Sequence, residues 1–245
     1  MIIIKLMKKP EFVNNEVYHI YNRGVEKRDV FLNNQDYFRF INNLVEFNDI
    51  KPTLPSNIRY LIRNPKAITP QCLEVQLLNI DKSSKPLIEI LAFCLMPNHY
   101  HLLVRQLVDN GTVKFMQKLG TGYTNYFNQK NERVGSLFQG RFKAVLISTE
   151  KHFRYMPLYI HLNPLDLIAP EWREKKLNNF NKAMDFLESY RWSSYLDYIG
   201  NKNFPLITQR EYFLEVAGGL KKFKKYTNDF MATMELEEIQ DLILE

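Results

Sequence analysis

Two histidines in one short segment are the residues of this sequence best suited to chemistry. His99 and His101 lie within residues 95–104, on either side of Tyr100. If this segment is a strand, side chains alternate between its faces, so the two histidines point one way and Tyr100 the other. Two adjacent imidazoles can bind one divalent metal ion, because imidazole nitrogen is a common ligand for such metals. A pair of half-buried strand histidines would give the same pattern.

A tyrosine and an asparagine four residues apart form a second candidate group. Tyr159 and Asn163 occur in the sequence YIHLNP, and residues at this spacing share one face of a helix. The phenol of Tyr159 could attack a phosphodiester and form a phosphotyrosine, which conserves the bond energy for rejoining. The amide oxygen of Asn163 could be a third metal ligand, and the metal would polarise a phosphate oxygen. With the histidines, this group predicts metal-assisted cleavage of a nucleic-acid strand.

Other residues near this group have competing interpretations. Tyr159 is one of 14 tyrosines, so a packing role is open, and Tyr155 lies one turn earlier on the same predicted helical face. His161 is two residues from Tyr159 and therefore faces elsewhere, so we interpret it as structural or as a phosphate contact. We interpret His19 as a strand histidine rather than as a ligand.

Composition sets the class of protein. The chain has 245 residues, of which 45% are hydrophobic, and this rules out a disordered chain. Its net charge of +6 is compatible with a polyanionic partner. Cys72 and Cys94 are not in a Cys-x-x-Cys pair, so neither a structural zinc site nor a disulfide framework is predicted. We expect a cytoplasmic protein without a membrane segment, because no secretory signal and no run of about 18 apolar residues occurs.

The predicted elements form an α+β fold. Strands are predicted at 17–23, 87–95, 100–106 and 138–148, and helices at 34–47, 113–131, 149–163, 177–190 and 209–245. The order strand, helix, strand, strand, helix, strand predicts a ferredoxin-like split βαβ core with an antiparallel sheet. The tyrosine-bearing helix and extra C-terminal helices follow this core.

Prolines mark the irregular parts of the chain. Five prolines interrupt residues 51–86, which we interpret as an insertion into a domain spanning 1–200, with a helical tail at 201–245. Pro157 lies two positions before Tyr159 and could kink the helix or mark its start. We therefore expect that Tyr159 is displaced from the metal in the resting protein.

Several segments together resemble a known family. The sequence LMPNHYHLL at 95–103 is similar to the His-hydrophobe-His motif of the single-tyrosine HUH transposases, in particular of the branch of REP-associated tyrosine transposases. Other segments that fit this branch are YNRG at 21–24, VF at 30–31, LFQGRFK at 137–143, YIHLNP at 159–164 and YRWSSY at 190–195. The resemblance implies that His99 and His101 bind Mg²⁺ or Mn²⁺, that Tyr159 is the nucleophile and that Asn163 completes the site. It also implies a substrate of single-stranded DNA folded into a hairpin.

The predicted DNA contacts are basic and aromatic side chains. Arg141 and Lys143 alternate with Phe142 and share one face of a predicted strand, where they could bind phosphates. Further candidate DNA contacts are Arg23, Arg28 and Lys118, with Tyr123 as a ring on which an unpaired base could stack. For each of these residues taken singly, a solvated charge or a core aromatic is the favoured interpretation.

The expected function is therefore an enzyme that nicks and rejoins single-stranded DNA through a 5′-phosphotyrosine, as a monomer or homodimer. One alternative is a domesticated protein that binds hairpins, for example as a repressor, with weak or no catalysis. A second alternative is a metallonuclease, or an RNA-directed enzyme, that uses water as its nucleophile.

Overall fold

The computed structural model describes residues 10–51, 85–174 and 176–233. Almost all of the predicted insertion at 51–86 lies outside these ranges, as does the tail after residue 233. Within the part that is described, every helix is too short or too polar to cross a membrane.

A four-stranded antiparallel sheet organises the fold. The strands are β1 (Val17–Arg23), β2 (Ile88–Met96), β3 (His99–Gln106) and β4 (Lys143–Leu146), in the spatial order β2-β3-β1-β4. Each neighbouring pair is antiparallel. This order, with one helix after β1 and one after β3, is the predicted split βαβ arrangement. The expected α+β, ferredoxin-like fold class is confirmed.

The helices continue the predicted order. They are α1 (Asn34–Glu46), α2 (Gly111–Lys130), α3 (Glu150–Leu162), α4 (Phe180–Ser189), α5 (Tyr195–Tyr198), α6 (Glu211–Ala217) and α7 (Leu220–Thr233). Two 3₁₀ segments, Asn163–Leu167 and Pro170–Glu174, connect α3 to α4. The predicted cap at the start of α1 is Asn33, whose side chain accepts a hydrogen bond from the Asp36 backbone N–H.

Each face of the sheet packs against its own layer of helices. On β3, Tyr100, Leu102 and Val104 belong to a core with α1 and α2, whereas Leu103 belongs to a second core with α3. His101 has the same parity as Leu103 and therefore lies on the face that α3 covers. The predicted nucleophile and the predicted metal ligands are thus on the same side of the sheet.

The tyrosine-bearing helix α3 runs continuously through Pro157. It begins at Glu150, where the side chain of Thr149 caps the His152 backbone N–H, and ends at Leu162. Pro157 therefore lies inside the helix and does not mark its start, which corrects one of the two expectations for this residue.

Three predicted elements are shorter than expected. The last strand covers only Lys143–Leu146, because Gly140 adopts a φ of +102° and the chain turns there. In the part of the tail that the structure describes, there are two helices rather than one, since Gly218 and Gly219 have φ values of +80° and +96° and end α6. The helix predicted at 177–190 is α4, three residues shorter at its start.

Replacement of Phe40 by alanine tests the core formed with α1. The Phe40 ring is fully buried, with its centroid 5.0 Å from the rings of both Tyr100 and Tyr123. We expect Phe40→Ala to lower the free energy of unfolding in urea by about 3–5 kcal/mol, because it leaves a cavity in a packed layer. Val134→Ala is the control, since Val134 is 92% exposed, and should change stability by less than about 0.5 kcal/mol. Equal effects of the two substitutions would contradict this core.

Candidate active site

The two histidines of β3 lie side by side. His99 and His101 have ring centroids 5.0 Å apart and ring planes at 86° to each other. His101 is fully buried and His99 is partly buried at the start of the strand. Alternation along β3 therefore brings the rings together, as a shared metal ion would require.

Hydrogen bonds at Nδ1 orient both rings. The His99 Nδ1 atom lies 2.6 Å from the Asn98 side-chain oxygen, and this nitrogen must donate because an amide oxygen carries no hydrogen. The lone pair of a neutral His99 is then on Nε2. The His101 Nδ1 atom is 2.9 Å from His19 Nε2, so His101 can also present Nε2 as a ligand when its Nδ1 donates to His19. Such bonds characterise histidines that bind metals.

The two histidines can therefore supply two ligands to a divalent ion. Among the described residues, no group of three or more His, Cys, Asp or Glu side chains is placed to hold a metal. The predicted ligand set consists instead of two histidines and one asparagine, so Asn163 would have to supply the third ligand.

Tyr159 packs directly against this histidine pair. Its side chain is 1% exposed, and its ring centroid is 6.0 Å from that of His101 and 5.9 Å from that of His19, in edge-to-face geometry. The described ring contacts of Tyr155 are instead with Tyr159 and Phe230. Burial raises the pKa of Tyr155 above its ordinary value. Of the two candidate tyrosines, Tyr159 is the one beside the histidines.

The side chain of Asn163 is held within the protein. It follows the last residue of α3, and its Nδ2 donates to the Tyr159 backbone oxygen over 2.8 Å. Its Oδ1, the predicted metal ligand, accepts a hydrogen bond from Arg173 Nη2 at 3.0 Å. Asn163 thus lies beside Tyr159 as the helical spacing predicts, with its oxygen directed to Arg173.

Arg173 links the candidate residues to an anchored carboxylate. Its Nη1 donates to the Tyr159 hydroxyl at 3.3 Å, and its Nε and Nη2 donate to Asp166 at 2.9 and 2.7 Å. Trp172 Nε1 donates to the same carboxylate at 2.6 Å. Burial would lower the pKa of Arg173, but its hydrogen bonds with Asp166 and Tyr159 raise the pKa overall, so the guanidinium is charged. Sequence reasoning missed Arg173 and Asp166, because neither belongs to a motif.

Three of the predicted DNA contacts share a pocket with His99. This pocket has a volume of about 130 Å³ and is lined by Arg23, Arg141 and Lys143 together with His99. The remaining lining residues are Tyr21, Asn22 and Gln139. The cationic side chains therefore surround an opening that reaches the first histidine of the pair.

The other predicted DNA contacts lie elsewhere. Arg28 forms an ion pair with Glu26 at 3.1 Å and does not line this pocket. Lys118, on α2 across the sheet, donates to the backbone oxygens of Asp49 and Lys51. Tyr123 is fully buried and its hydroxyl donates to the Val30 oxygen at 2.6 Å, so we assign it to the core rather than to a base-stacking surface.

Comparison with known proteins supports one family. Residues 67–163, about two fifths of the chain, match the model of the family described as "Transposase IS200 like". The matched range contains His99, His101, Tyr159 and Asn163. This segment is therefore similar in sequence to the IS200-like transposases. The predicted resemblance to a tyrosine transposase family is thereby confirmed.

Two solved structures share a distant likeness with this chain. One is a REP-associated tyrosine transposase bound to a REP hairpin, with 13% identity, a TM-score of 0.43 and coverage of 82% of this chain and 88% of that chain. The other is the tRNA(His) guanylyltransferase of Saccharomyces cerevisiae, with 10% identity, a TM-score of 0.30 and coverage of 75% and 81%. Both TM-scores are below 0.5, so neither likeness carries an inference about function. A search of the curated proteins gave no match.

His161 is a structural residue of this protein. It is fully buried, its Nε2 is 2.8 Å from the Ser194 hydroxyl, and its ring centroid is 4.7 Å from that of Tyr198. Burial lowers the pKa of His161 to about 3. Of the two interpretations of this residue, the packing role fits and the phosphate contact does not.

His161 should make stability depend on pH. The unfolded chain binds a proton at this residue below about pH 6.5, whereas the folded chain does so only near pH 3. The contribution of His161 to the free energy of unfolding is therefore fully present above about pH 6.5. It falls at lower pH, by up to about 1.4 kcal/mol per pH unit. We expect His161→Gln to reduce this slope in urea unfolding between pH 6.5 and 4.5. His152→Gln, on the same helix but only partly buried, is the control. An unchanged slope in His161→Gln would refute the assignment.

Proposed function

We propose that this transposase-like protein is a metal-dependent single-stranded DNA endonuclease and strand transferase. It would act on hairpin DNA through a covalent 5′-phosphotyrosine at Tyr159. The observation that carries the proposal is the packing of the Tyr159 ring against His101, the second histidine of the pair. The family match over 67–163 supports it, because that range includes the predicted nucleophile and all three predicted metal ligands.

His99 and His101 are the proposed metal ligands, through their Nε2 atoms. When bound, Mg²⁺ or Mn²⁺ would polarise a non-bridging oxygen of the scissile phosphate. Asn163 is the proposed third ligand, and its Oδ1 would have to give up the hydrogen bond from Arg173 Nη2 to take this role. His19 and Asn98 would orient the two ligand rings.

Tyr159 performs the proposed covalent step. Its phenol oxygen attacks phosphorus, the bond from phosphorus to the 3′ oxygen breaks, and the 5′ part of the break stays attached to the enzyme. Attack by a 3′ hydroxyl on this linkage reverses the step and rejoins a strand. The contact of the Tyr159 ring with the histidines of the sheet fixes this ring, which lowers the entropic cost of aligning the nucleophile.

Arg23, Arg141 and Lys143 are the proposed phosphate contacts of the bound strand. They line the pocket that contains His99, so a strand held there would pass the proposed metal ligands. Arg28 and Lys118 remain candidates for contacts with more distant phosphates. The net charge of +6 would favour the approach of DNA.

Loss of the Tyr159 hydroxyl should abolish the covalent intermediate. The chain would be mixed with single-stranded hairpin DNA from the flanks of its own gene, with Mn²⁺ or EDTA, and run on a denaturing gel. We expect a metal-dependent, denaturation-resistant band that Tyr159→Phe lacks and that Tyr155→Phe, one turn away on the same helix, retains. Both variants should bind the hairpin in a native gel, because neither substitution removes a cation.

The other outcomes of this experiment identify the alternatives. Adduct that persists in Tyr159→Phe and is lost in Tyr155→Phe would show that Tyr155, and not Tyr159, is the nucleophile. Free 5′-phosphate ends without adduct would indicate a hydrolytic nuclease. Binding of several hairpins without cleavage, with either Mg²⁺ or Mn²⁺, would indicate a binding protein.

Removal of both histidines should abolish metal binding and cleavage. We expect His99→Ala combined with His101→Ala to show no specific Mn²⁺ binding by calorimetry and no adduct, since two ligands are lost. His19→Ala should weaken Mn²⁺ binding by about 10–100-fold, because it removes the partner that orients His101. His152→Ala, outside the site, controls for nonspecific effects. Unchanged Mn²⁺ binding in the double variant would eliminate this metal site.

A further inference from the structure

We propose that Arg173 is a further catalytic residue, which binds the transferred phosphate at Tyr159. The inference rests on the proposed function, because it concerns the phosphate that the tyrosine would attack. Its basis is the 3.3 Å hydrogen bond from Arg173 Nη1 to the Tyr159 hydroxyl oxygen. That oxygen is the atom that would bond to phosphorus, so the guanidinium touches a reacting atom.

The guanidinium is held in place before any substrate binds. Asp166 accepts hydrogen bonds from Nε at 2.9 Å and from Nη2 at 2.7 Å, and the same carboxylate is fixed by Trp172 Nε1 at 2.6 Å. The carboxylate thus occupies one edge of the guanidinium, while Nη1 points to Tyr159. A donor fixed in advance costs little reorganisation when charge develops, and such donors contribute strongly to catalysis.

Arg173 and the histidine pair approach Tyr159 from different elements. The guanidinium carbon is 5.8 Å from the centroid of the Tyr159 ring, and the His101 ring centroid is 6.0 Å from it. His101 belongs to β3, whereas Arg173 belongs to the 3₁₀ segment Pro170–Glu174. A phosphate on the tyrosine oxygen would therefore have a charged donor on a different element from the two histidine ligands.

The covalent step needs no change in the protonation of Arg173. The phenol releases its proton to water, its oxygen bonds to phosphorus, and the bond to the 3′ oxygen breaks as that oxygen takes a proton from water. Arg173 keeps its protons and moves one hydrogen bond from the tyrosine oxygen to a non-bridging phosphate oxygen. Arginine suits this role because its planar fork can hold a carboxylate on one edge and donate from another.

The test compares two substrates in single-turnover adduct formation. One hairpin carries the normal phosphodiester at the cleaved position, and the other carries a methylphosphonate, which lacks the negative charge and one non-bridging oxygen. On the normal substrate we expect Arg173→Gln to slow adduct formation by about 10²–10³-fold, as for the loss of one preorganised donor. On the methylphosphonate the same substitution should cost less than about tenfold, because the charge that Arg173 would bind is absent.

Matched variants separate this role from a structural one. Arg154 lies on α3, is exposed and pairs with Glu150 at 2.6 Å, so Arg154→Gln should leave both rates unchanged. Arg173→Lys should recover part of the rate on the normal substrate, since it restores the charge without the fork. If Arg173→Gln does not fold, as judged by thermal unfolding, Arg173→Lys is compared on the two substrates and should still be slowed more on the normal one.

The inference would be overturned if the wild-type chain forms the adduct and Arg173→Gln slows adduct formation equally on both substrates, or on neither. That result would leave the proposed function intact and assign Arg173 to packing. Absence of adduct in the wild-type chain with every hairpin would instead overturn the proposed function, and this inference with it.

Discussion

The alternation of side chains along β3 is the constraint on which the candidate site depends. Because β3 is central, with β2 on one side and β1 on the other, each of its residues is committed to one of two packed layers. A shift of one residue in register would move both histidines into the layer of α1 and α2, and Tyr100 into the site. The apolar residues of β3 oppose such a shift. The core thus fixes the geometry of the candidate site.

Regular elements were predictable because their signals are local. The range of β1 is the predicted one, and the long helices agree to within a few residues, since hydrophobic periodicity is recorded in each segment itself. The errors fall where a glycine overrides a pattern. Gly140 interrupts the expected last strand, and Gly218 divides the expected C-terminal helix. In both places the backbone conformation, rather than hydrophobicity, determines where the element ends.

The candidate site was predictable only where a motif marks it. The pairing of His99 with His101 and of Tyr159 with Asn163 follows from spacing on a strand and on a helix. The contact of His19 with His101 depends on the pairing of β1 with β3, and that of Arg173 with Tyr159 depends on the path of two 3₁₀ segments. No periodic signal records either path. The hydrogen-bonded neighbours of a site are therefore harder to derive than the site residues themselves.

The layer outside α3 connects the helix that carries Tyr159 to α7. Phe223 and Phe230 of α7 contact His161 and Tyr155 of α3, at ring-centroid distances of 5.9 and 5.8 Å. The tyrosine helix is thus covered by the sheet on one side and by a C-terminal helix on the other. A helix that packs on the outside of a domain can open locally, which exposes whatever it covers. The frequency with which α7 detaches would therefore determine how firmly Tyr159 is held, which makes α7 part of the scaffold of the candidate site.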